Sequence, residues 1–377
     1  MPGYTQYELG NICTRLSSGK GIPASRVFSS GAFPVYGGNG LRGYTDQSNF
    51  VGECAIVGRQ GAFCGNVRYF SGEAYMTEHA VVICASKEHN TRYLAYLLSL
   101  MNLGRLSGQS AQPGLSVRTL AKQPIEMPPL EVQNRVVALL SSFDSKIEVN
   151  NKINDNLQQQ ATAIFKSWFV DCTPFDGVAP ETWRDVTLEE ITTLVSRGIA
   201  PKYSYDSEQT VINQKCIRNH MIDLSLARTH TPKVINEKWL RFGDLLINST
   251  GDGTLGRAAQ VWFQPKNLTV DSHVTIVRPA NENLIFYIGL WGILHEKEIE
   301  SLHTGSTGQT ELPRDRVKAM ELLLPENETL DRFNALIAPM AAAIVSNQEE
   351  NIRLAALRDA LLPKLMSGEI DVSDIRF

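Results

Sequence analysis

The chain has 377 residues, of which 43% are hydrophobic and 20% charged, and its formal net charge is −4 at pH 7. This length is too great for one small core and fits two domains with connectors, and the composition excludes a disordered chain. Because no run of about 18 apolar residues is present and the start, MPGYTQYELG, lacks a signal-peptide pattern, the sequence predicts a cytoplasmic protein with no membrane partner.

Charge is distributed unevenly along the chain. The net charge is +4 over residues 1–128, −1 over 129–171, −3 over 172–325 and −4 over 326–377. A surface that binds nucleic acid would therefore have to be local, with the acidic residues placed elsewhere.

The first region, 1–128, mixes short β-like runs with one helical stretch. CAIVG and HAVVICA are apolar runs of strand length, YLAYLLSLM has helical character, and glycine-rich loops separate them. This pattern predicts an α+β domain with a curved sheet.

A long amphipathic helix is predicted next, over 131–169. Its apolar positions recur at spacings of three and four, and Asn150 and Asn154 interrupt them near the middle. The apolar positions are Val136, Leu140, Phe143, Ile147, Leu157, Ala161, Ile164 and Trp168.

The region 172–325 repeats the first region. The runs DLLIN and HVTIVRP and the helical LIFYIGLWGIL follow in the same order. The separation between matched residues grows from 191 to 194 to 197, as insertions in the loops of the second copy would produce. The matches include Gly65 with Gly256, His79 with His273, Gln112 with Gln309, and Leu115 with Leu312.

A second long helix is predicted over 328–366, and adding 197 to the first apolar stripe gives nearly the same stripe here. The asparagines repeat as Asn347 and Asn351. Each helix would be about 55–60 Å long, which favours an antiparallel coiled coil with Asn150 opposite Asn347. Buried asparagines there would set the helix register, although they could instead be solvated positions on a half-exposed helix. Pro339 predicts a kink or a fresh start in the second helix.

The glycine-rich loops carry residues that suit DNA contacts. Arg and Lys bind phosphate and read guanine, and Asn and Gln read adenine. The candidates in the first copy are Lys20, Arg42, Arg59, Gln60, Arg105, Gln109 and Ser110. Those in the second are Arg197, Lys202, Lys215, Arg218, Asn219, Arg257, Thr307 and Gln309. In the alternative interpretation, the same loops are plain turns and have no role in DNA binding.

No catalytic constellation is present in the sequence. GxxxxGK[ST], HExxH and GxSxG do not occur, the glycine-rich STGDGTLGRA lacks the Lys-Ser/Thr ending, and the seven histidines show no metal-ligand spacing. The sequence therefore predicts a chain that is not itself an enzyme and holds no metal.

Three segments carry a resemblance to a known family. These are PPLEVQNRVVALLSSFDSKIEVNNKINDNLQQQATAIFKSWFVDCTPF (128–175), LRDALLPKLMSGEIDV (357–372) and VYGGNGLRGY (35–44). The repeated LG-I starts of the two copies and SGKG at 18–21 add to the resemblance. With the two-copy layout, the chain resembles the specificity subunits of type I restriction–modification systems over essentially its whole length.

The resemblance implies a fold and a function. Two mixed α/β target recognition domains, 1–128 and 172–325, would stand in a pseudo-twofold arrangement, joined by two long antiparallel spacer helices at 129–171 and 326–377. Each domain would read half of a bipartite double-stranded DNA target. The helices would set the gap and dock two modification (methyltransferase) subunits, and restriction subunits would join them. S-adenosylmethionine, ATP and Mg would be bound only by those partners, with no cofactor in this chain.

Other interpretations stay open. The chain could be the recognition module of a type II-like methyltransferase or nuclease system, or a coiled-coil scaffold without DNA readout. A stand-alone methyltransferase would need a cofactor loop and an (N/D)PPY-like motif, and neither occurs.

Overall fold

The computed structural model describes residues 3–107, 114–251, 253–305 and 310–372. The chain divides into two compact units, unit 1 (Met1–Glu148 with Asn351–Phe377) and unit 2 (Val149–Glu350). The division falls within the two long helices, so each unit holds one half of both. Within the described residues, no helix is long and apolar enough to cross a membrane.

Unit 1 is built on one mixed sheet, in the order β2-β7-β5-β6-β3-β4, beside a small sheet of β1 and β8. β3 runs parallel to β6, whereas the other pairs of the large sheet are antiparallel. The strands are β1 Thr5–Glu8, β2 Cys13–Ser18, β3 Phe33–Gly37, β4 Gly40–Thr45, β5 Phe50–Gly58, β6 Val67–Met76, β7 Ala80–Ala85 and β8 Pro124–Met127. The helices are α1 Thr91–Leu100, α2 Val117–Ala121 and the long α3 Leu130–Phe169.

Unit 2 has a sheet in the order β10-β18-β15-β16, a second in the order β14-β11-β17, and the pairs β12-β13 and β19-β9. Its strands are β9 Arg184–Thr187, β10 Thr192–Arg197, β11 Thr210–Ile212, β12 Ile217–Arg218, β13 Met221–Ile222, β14 Arg228–Thr229, β15 Leu245–Asn248, β16 Ala258–Gln260, β17 Leu268–Val270, β18 Val274–Pro279 and β19 Glu321–Leu324. Its helices are α4 Ile285–Leu294, α5 Glu296–Ser301, α6 Arg314–Lys318 and the long α7 Asn327–Met366.

The long helices pair antiparallel within each unit. In unit 1, Leu140 from the first half of α3 shares a core with Leu362 and Leu365 from the end of α7. In unit 2, Phe165 near the end of α3 packs against Phe333 near the start of α7, with ring centroids 6.0 Å apart. The predicted α+β fold class with two long antiparallel helices is confirmed.

At the centre of the two long helices, the asparagines pair differently from the prediction. The Asn347 Nδ2 donates to Asn154 Oδ1 at 2.8 Å, and the Asn150 Nδ2 donates to Glu350 Oε2 at 2.7 Å. The expected pairing of Asn150 with Asn347 is therefore wrong by about one helical turn. It assumed aligned helix ends, whereas the hydrogen bonds place Asn347 opposite Asn154. Asn150 and Asn154 are buried rather than solvated, and Asn351 is half-buried.

Of the kink or fresh start expected at Pro339, the fresh start does not occur, because α7 runs through Pro339 without a break. Proline removes one backbone N–H and leaves the carbonyl four residues earlier without its helical donor. Pro339 and Ala335 both lie on the exposed face of α7, where water can solvate that carbonyl. Pro363 is exposed in the same way.

An ion cluster ties α1 to both long helices in unit 1. Asp144 of α3 lies 3.0 Å from the Arg92 guanidinium of α1 and 2.7 Å from that of Arg358 of α7, and it also accepts the hydroxyl of Tyr96. Burial by itself would raise the pKa of Asp144, but the hydrogen bonds from Tyr96, Arg358 and Arg92 outweigh it, and the pKa lies below its ordinary value. The carboxylate therefore stays ionised at neutral pH.

Candidate nucleic-acid interface

The chain leaves β2 through Gly19, which lies against the end of β6. The Gly19 N–H donates to the Ala80 carbonyl at 3.0 Å, and the Lys20 N–H donates to the Met76 carbonyl at 2.9 Å. A Cβ built on Gly19 would lie 2.1 Å from the Met76 carbonyl oxygen, so only glycine permits this approach. Lys20 is thereby exposed beside the strand end.

Unit 2 has the same pair of backbone hydrogen bonds after β10. The Gly198 N–H donates to the Val274 carbonyl at 3.1 Å, and the Ile199 N–H donates to the Val270 carbonyl at 2.9 Å. A Cβ built on Gly198 would lie 1.9 Å from the Val270 carbonyl oxygen. The same glycine requirement therefore recurs in both copies.

A second set of backbone hydrogen bonds joins loop residues at the end of β5. The Arg59 N–H donates to the His79 carbonyl at 3.0 Å, and the Arg59 carbonyl accepts the Leu115 N–H at 2.8 Å. We use the term junction for the residues at the strand ends that make these backbone hydrogen bonds, together with Gln60. In unit 1 the junction comprises Lys20, Arg59, Gln60 and His79.

In unit 2 the same pattern involves Ser249. Its N–H donates to the His273 carbonyl at 2.8 Å, and its carbonyl accepts the Leu312 N–H at 2.9 Å. The junction of unit 2 comprises Ile199, Ser249, Thr250 and His273. The predicted matches of His79 with His273 and of Leu115 with Leu312 are thus confirmed by hydrogen bonds at equivalent places.

The two junctions share a backbone pattern but differ in their side chains. Unit 1 has two cationic side chains and an amide there, whereas unit 2 has an aliphatic side chain and two hydroxyls. The Ser249 hydroxyl is buried and lies 2.5 Å from the Thr275 hydroxyl, and the Thr250 hydroxyl lies 2.7 Å from His273 Nδ1. The equivalent pairs are Lys20 and Ile199, Arg59 and Ser249, and Gln60 and Thr250. One scaffold therefore carries exposed or half-buried basic and amide side chains in unit 1 and hydroxyls engaged within the fold in unit 2.

The described candidate residues of unit 1 are mostly exposed. Arg59 is half-buried, with its Nη1 3.4 Å from the Ser18 hydroxyl. Arg42 passes over Gly37, since a Cβ built there would lie 2.7 Å from the Arg42 Cδ. Arg105 lies in the turn Leu103–Leu106, on a different segment from the junction residues. Gln109 and Ser110, with Gln112, lie outside the described residues.

Three candidates of unit 2 come together. Arg218, Asn219 and Arg257 line an open cleft of about 330 Å³ with His220 and Glu296. Sequence reasoning did not select His220, although it directly follows two selected residues. Lys202 and Lys215 are exposed and lie outside this cleft, and Thr307 and Gln309 lie outside the described residues.

Arg197 is already engaged within the chain. Its guanidinium pairs with Glu311 and donates to the Leu312 carbonyl at 2.9 Å. Arg197 lines a second cleft, of about 450 Å³, together with Lys238 and Arg314, two basic residues that sequence reasoning missed. Neither stands in a glycine-rich loop, so the criterion used to select candidates could not find them.

Comparison with known proteins finds similar sequences in one family. Residues 1–159 match the family described as type I restriction modification DNA specificity domain. The type I restriction enzyme EcoprrI specificity subunit of Escherichia coli is 38% identical over 141 residues, 36% of this chain and 35% of that protein. The MjaIX specificity subunit of Methanocaldococcus jannaschii is 27% identical over 315 residues, 76% of this chain and 70% of that protein.

The same fold is found in a solved structure. The type I restriction–modification S subunit from M. genitalium aligns with a TM-score of 0.57 at 15% identity, covering 96% of each chain. At this identity the likeness concerns the fold. The sequence matches lead to one conclusion: the chain is similar to the specificity subunits of type I restriction–modification systems, and its residues 1–159 match their DNA specificity domain.

Proposed function

We propose that the chain reads a bipartite sequence in double-stranded DNA, with each recognition fold reading one half. The observation that supports this best is the repeated junction. The backbone hydrogen bonds are the same in both copies, whereas the side chains at equivalent positions differ, as Arg59 and Ser249 do. A scaffold duplicated in this way would support different base-reading groups in its two copies, at the junction in unit 1 and in the cleft of Arg218, Asn219 and Arg257 in unit 2.

The junction of unit 1 offers the chemistry that the proposal needs. A guanidinium reads guanine through two hydrogen bonds, and an amide reads adenine in the same way. Arg59 and Gln60 supply these groups next to each other, and Lys20 supplies a charge suited to phosphate. In unit 2, Arg218, Asn219 and Arg257 supply the corresponding groups in one cleft.

The long helices would set the unread gap between the two half-sites. The buried asparagine Asn154, bonded to Asn347, would penalise slipped registers and so keep the gap constant. The helices would also dock two modification subunits, which would bring S-adenosylmethionine and methylate adenine. Restriction subunits would add ATP- and Mg-dependent cleavage, and this chain would carry no catalytic residue.

Arg59→Ala tests the assignment of half-sites. The chain is expressed with its methyltransferase partner and host DNA is sequenced for methylated adenine. We expect altered base preference in one half-site, with the other half-site and the gap unchanged, because Arg59 belongs to one junction only. Arg118→Ala, which removes an exposed arginine of α2, is the control and should leave the motif unchanged.

Two results would count against the proposal. Equal weakening of both half-sites by Arg59→Ala would mean that this residue contacts only phosphate or supports the fold. If the assembled complex did not bind DNA even at low salt, the scaffold interpretation would be favoured. Phosphate contacts give an affinity that is high at low salt and falls steeply as salt rises.

A further inference from the structure

The hairpin of β12 and β13 in unit 2 has an unusual turn. Its two connecting residues, Asn219 and His220, both have left-handed backbones, with φ of 52° and 58°. Two-residue hairpin loops with two positive φ angles are type I′ turns, which strongly prefer Asn-Gly. A histidine in the second position is strained, and such residues persist where their surroundings hold them.

His220 is held from two sides. Its carbonyl accepts a hydrogen bond from the Gln158 Nε2 of α3 at 3.3 Å, and its imidazole Nε2 lies 3.2 Å from Glu296 Oε2 of α5. The other Glu296 oxygen accepts the Ala258 N–H at 2.6 Å. The turn is thus anchored to the long helix and to the core of its own recognition fold.

The two residues that precede His220 in the hairpin are free of such contacts. Arg218 and Asn219 are exposed, and neither side chain has a hydrogen-bond or ion-pair partner within the part of the chain that the structure describes. Arg257 faces the same cleft, with one nitrogen donating to the Gly253 carbonyl at 2.8 Å. Both oxygens of Glu296, the acidic residue of the cleft, are already engaged.

This arrangement suits the edge of a purine base. Arginine pairs with guanine and asparagine with adenine in bidentate geometry, and the major groove admits a two-stranded β-ribbon. We propose that the tip of this hairpin reads a purine in the half-site of unit 2 through Arg218 and Asn219, with His220 as the positioning residue. The inference rests on the proposed function, because it names the reading element of one half-site.

Unit 1 provides an internal control. β3 of unit 1 is equivalent to β11 of unit 2, because β3 pairs in parallel with the end of β6 as β11 does with β17. It is followed directly by a short glycine turn into β4, without a hairpin tip anchored by a histidine. Changes in the unit 2 hairpin should therefore leave the half-site of unit 1 intact.

The test compares methylated motifs in host DNA for the chain expressed with its methyltransferase partner. Arg218→Ala or Asn219→Ala should reduce discrimination at one position of one half-site by roughly tenfold. That half-site should be the one that Arg59→Ala leaves unchanged. His220→Gly keeps the positive φ but removes the imidazole anchor, so it should cause a smaller loss at the same position.

Asn267→Gly is the matched control, because Asn267 is another left-handed asparagine of unit 2 with φ 49°. It should leave the motif unchanged. Tryptophan fluorescence verifies folding of each variant, since all five tryptophans lie beyond residue 148, in unit 2.

The outcomes separate the inference from the proposed function. A normal bipartite motif that stays unchanged in folded Arg218→Ala and Asn219→Ala overturns the inference alone. Equal weakening of both half-sites also overturns it, since the tip would then contact phosphate. If the unaltered chain in a soluble complex with its partner produces no bipartite methylation, the proposed function fails, and the inference fails with it.

Discussion

In unit 1 the long helices meet α1 through charge, and in unit 2 the equivalent place is apolar. Asp144 and Arg358 of the ion cluster correspond, 197 residues along the repeat, to Ala341 and Ala161. Both alanines are buried in the core of unit 2, beside Phe165 and Phe333. The same helix pairing is therefore supported by hydrogen-bonded ions in one copy and by close packing of small residues and rings in the other.

The difference teaches that the repeat preserves backbone geometry rather than the chemistry of each contact. Ions and aromatic rings respond differently to truncation and to pH, so the two units should respond separately to the same perturbation. The tryptophans provide the means to observe this, because their fluorescence reports on unit 2 only.

The largest effect is expected from Phe165→Ala in unit 2. Phe165 is 1% exposed, and its ring lies 5.1 to 6.0 Å from those of Phe169, Tyr287 and Phe333. Removing a buried phenyl ring should lower the free energy of unfolding by about 4 kcal/mol. Denaturant titration followed by tryptophan fluorescence measures this, with Tyr205→Ala, which removes an exposed ring of unit 2, as control. A change below about 1 kcal/mol would show that the rings do not support unit 2.

A smaller effect is expected from Asp144→Asn in unit 1. The change removes the carboxylate of Arg92 and leaves Arg358 paired only with Asp359. Because these arginines and Asp144 are about one quarter exposed, the cost should be about 2 kcal/mol rather than that of a fully buried pair. Hydrogen exchange of the α1 amides should accelerate while the tryptophan transition stays in place. Asp155→Asn, an exposed carboxylate of the same helix, is the control. A shift in the tryptophan transition alone would refute the local role of the cluster.

The smallest effect is an acid-dependent loss of stability in unit 1. The pKa of Asp144 in the folded chain is below its ordinary value. Its contribution is therefore complete above the unfolded pKa of about 3.9 and disappears as the pH falls through the lower folded value. Hydrogen exchange of α1 measured from neutral to acid pH should show this loss in the unaltered chain. It should be reduced in Asp144→Asn, and equal pH dependence in both proteins would contradict it.

Much of the fold could be predicted because its main features are local or repeated. The helix periodicity predicted both long helices to within a residue of their described starts, Leu130 and Asn327. The growing offset between copies predicted that His79 and His273 occupy equivalent places, and both carbonyls accept equivalent hydrogen bonds.

Other features depend on contacts between distant residues and could not be read from the sequence. The pairing of Asn154 with Asn347, one turn away from the expected pairing, joins residues 193 positions apart. The engagement of Arg197 by Glu311 joins residues 114 positions apart. The anchoring of His220 needs Gln158 and Glu296, which lie on two other elements. Residue type selected plausible contacts to DNA, but only the fold shows which of them are already engaged.

The most direct measurement is the gap in the methylated motif after lengthening both helices. Four residues are inserted in α3 between Glu148 and Val149 and four in α7 between Glu350 and Asn351, where the two units divide. Each insertion adds about 6 Å of helix, so the unread gap should lengthen by about one or two base pairs while both half-site sequences persist. An unchanged gap in a folded, methylating complex would show that something other than these helices sets the spacing.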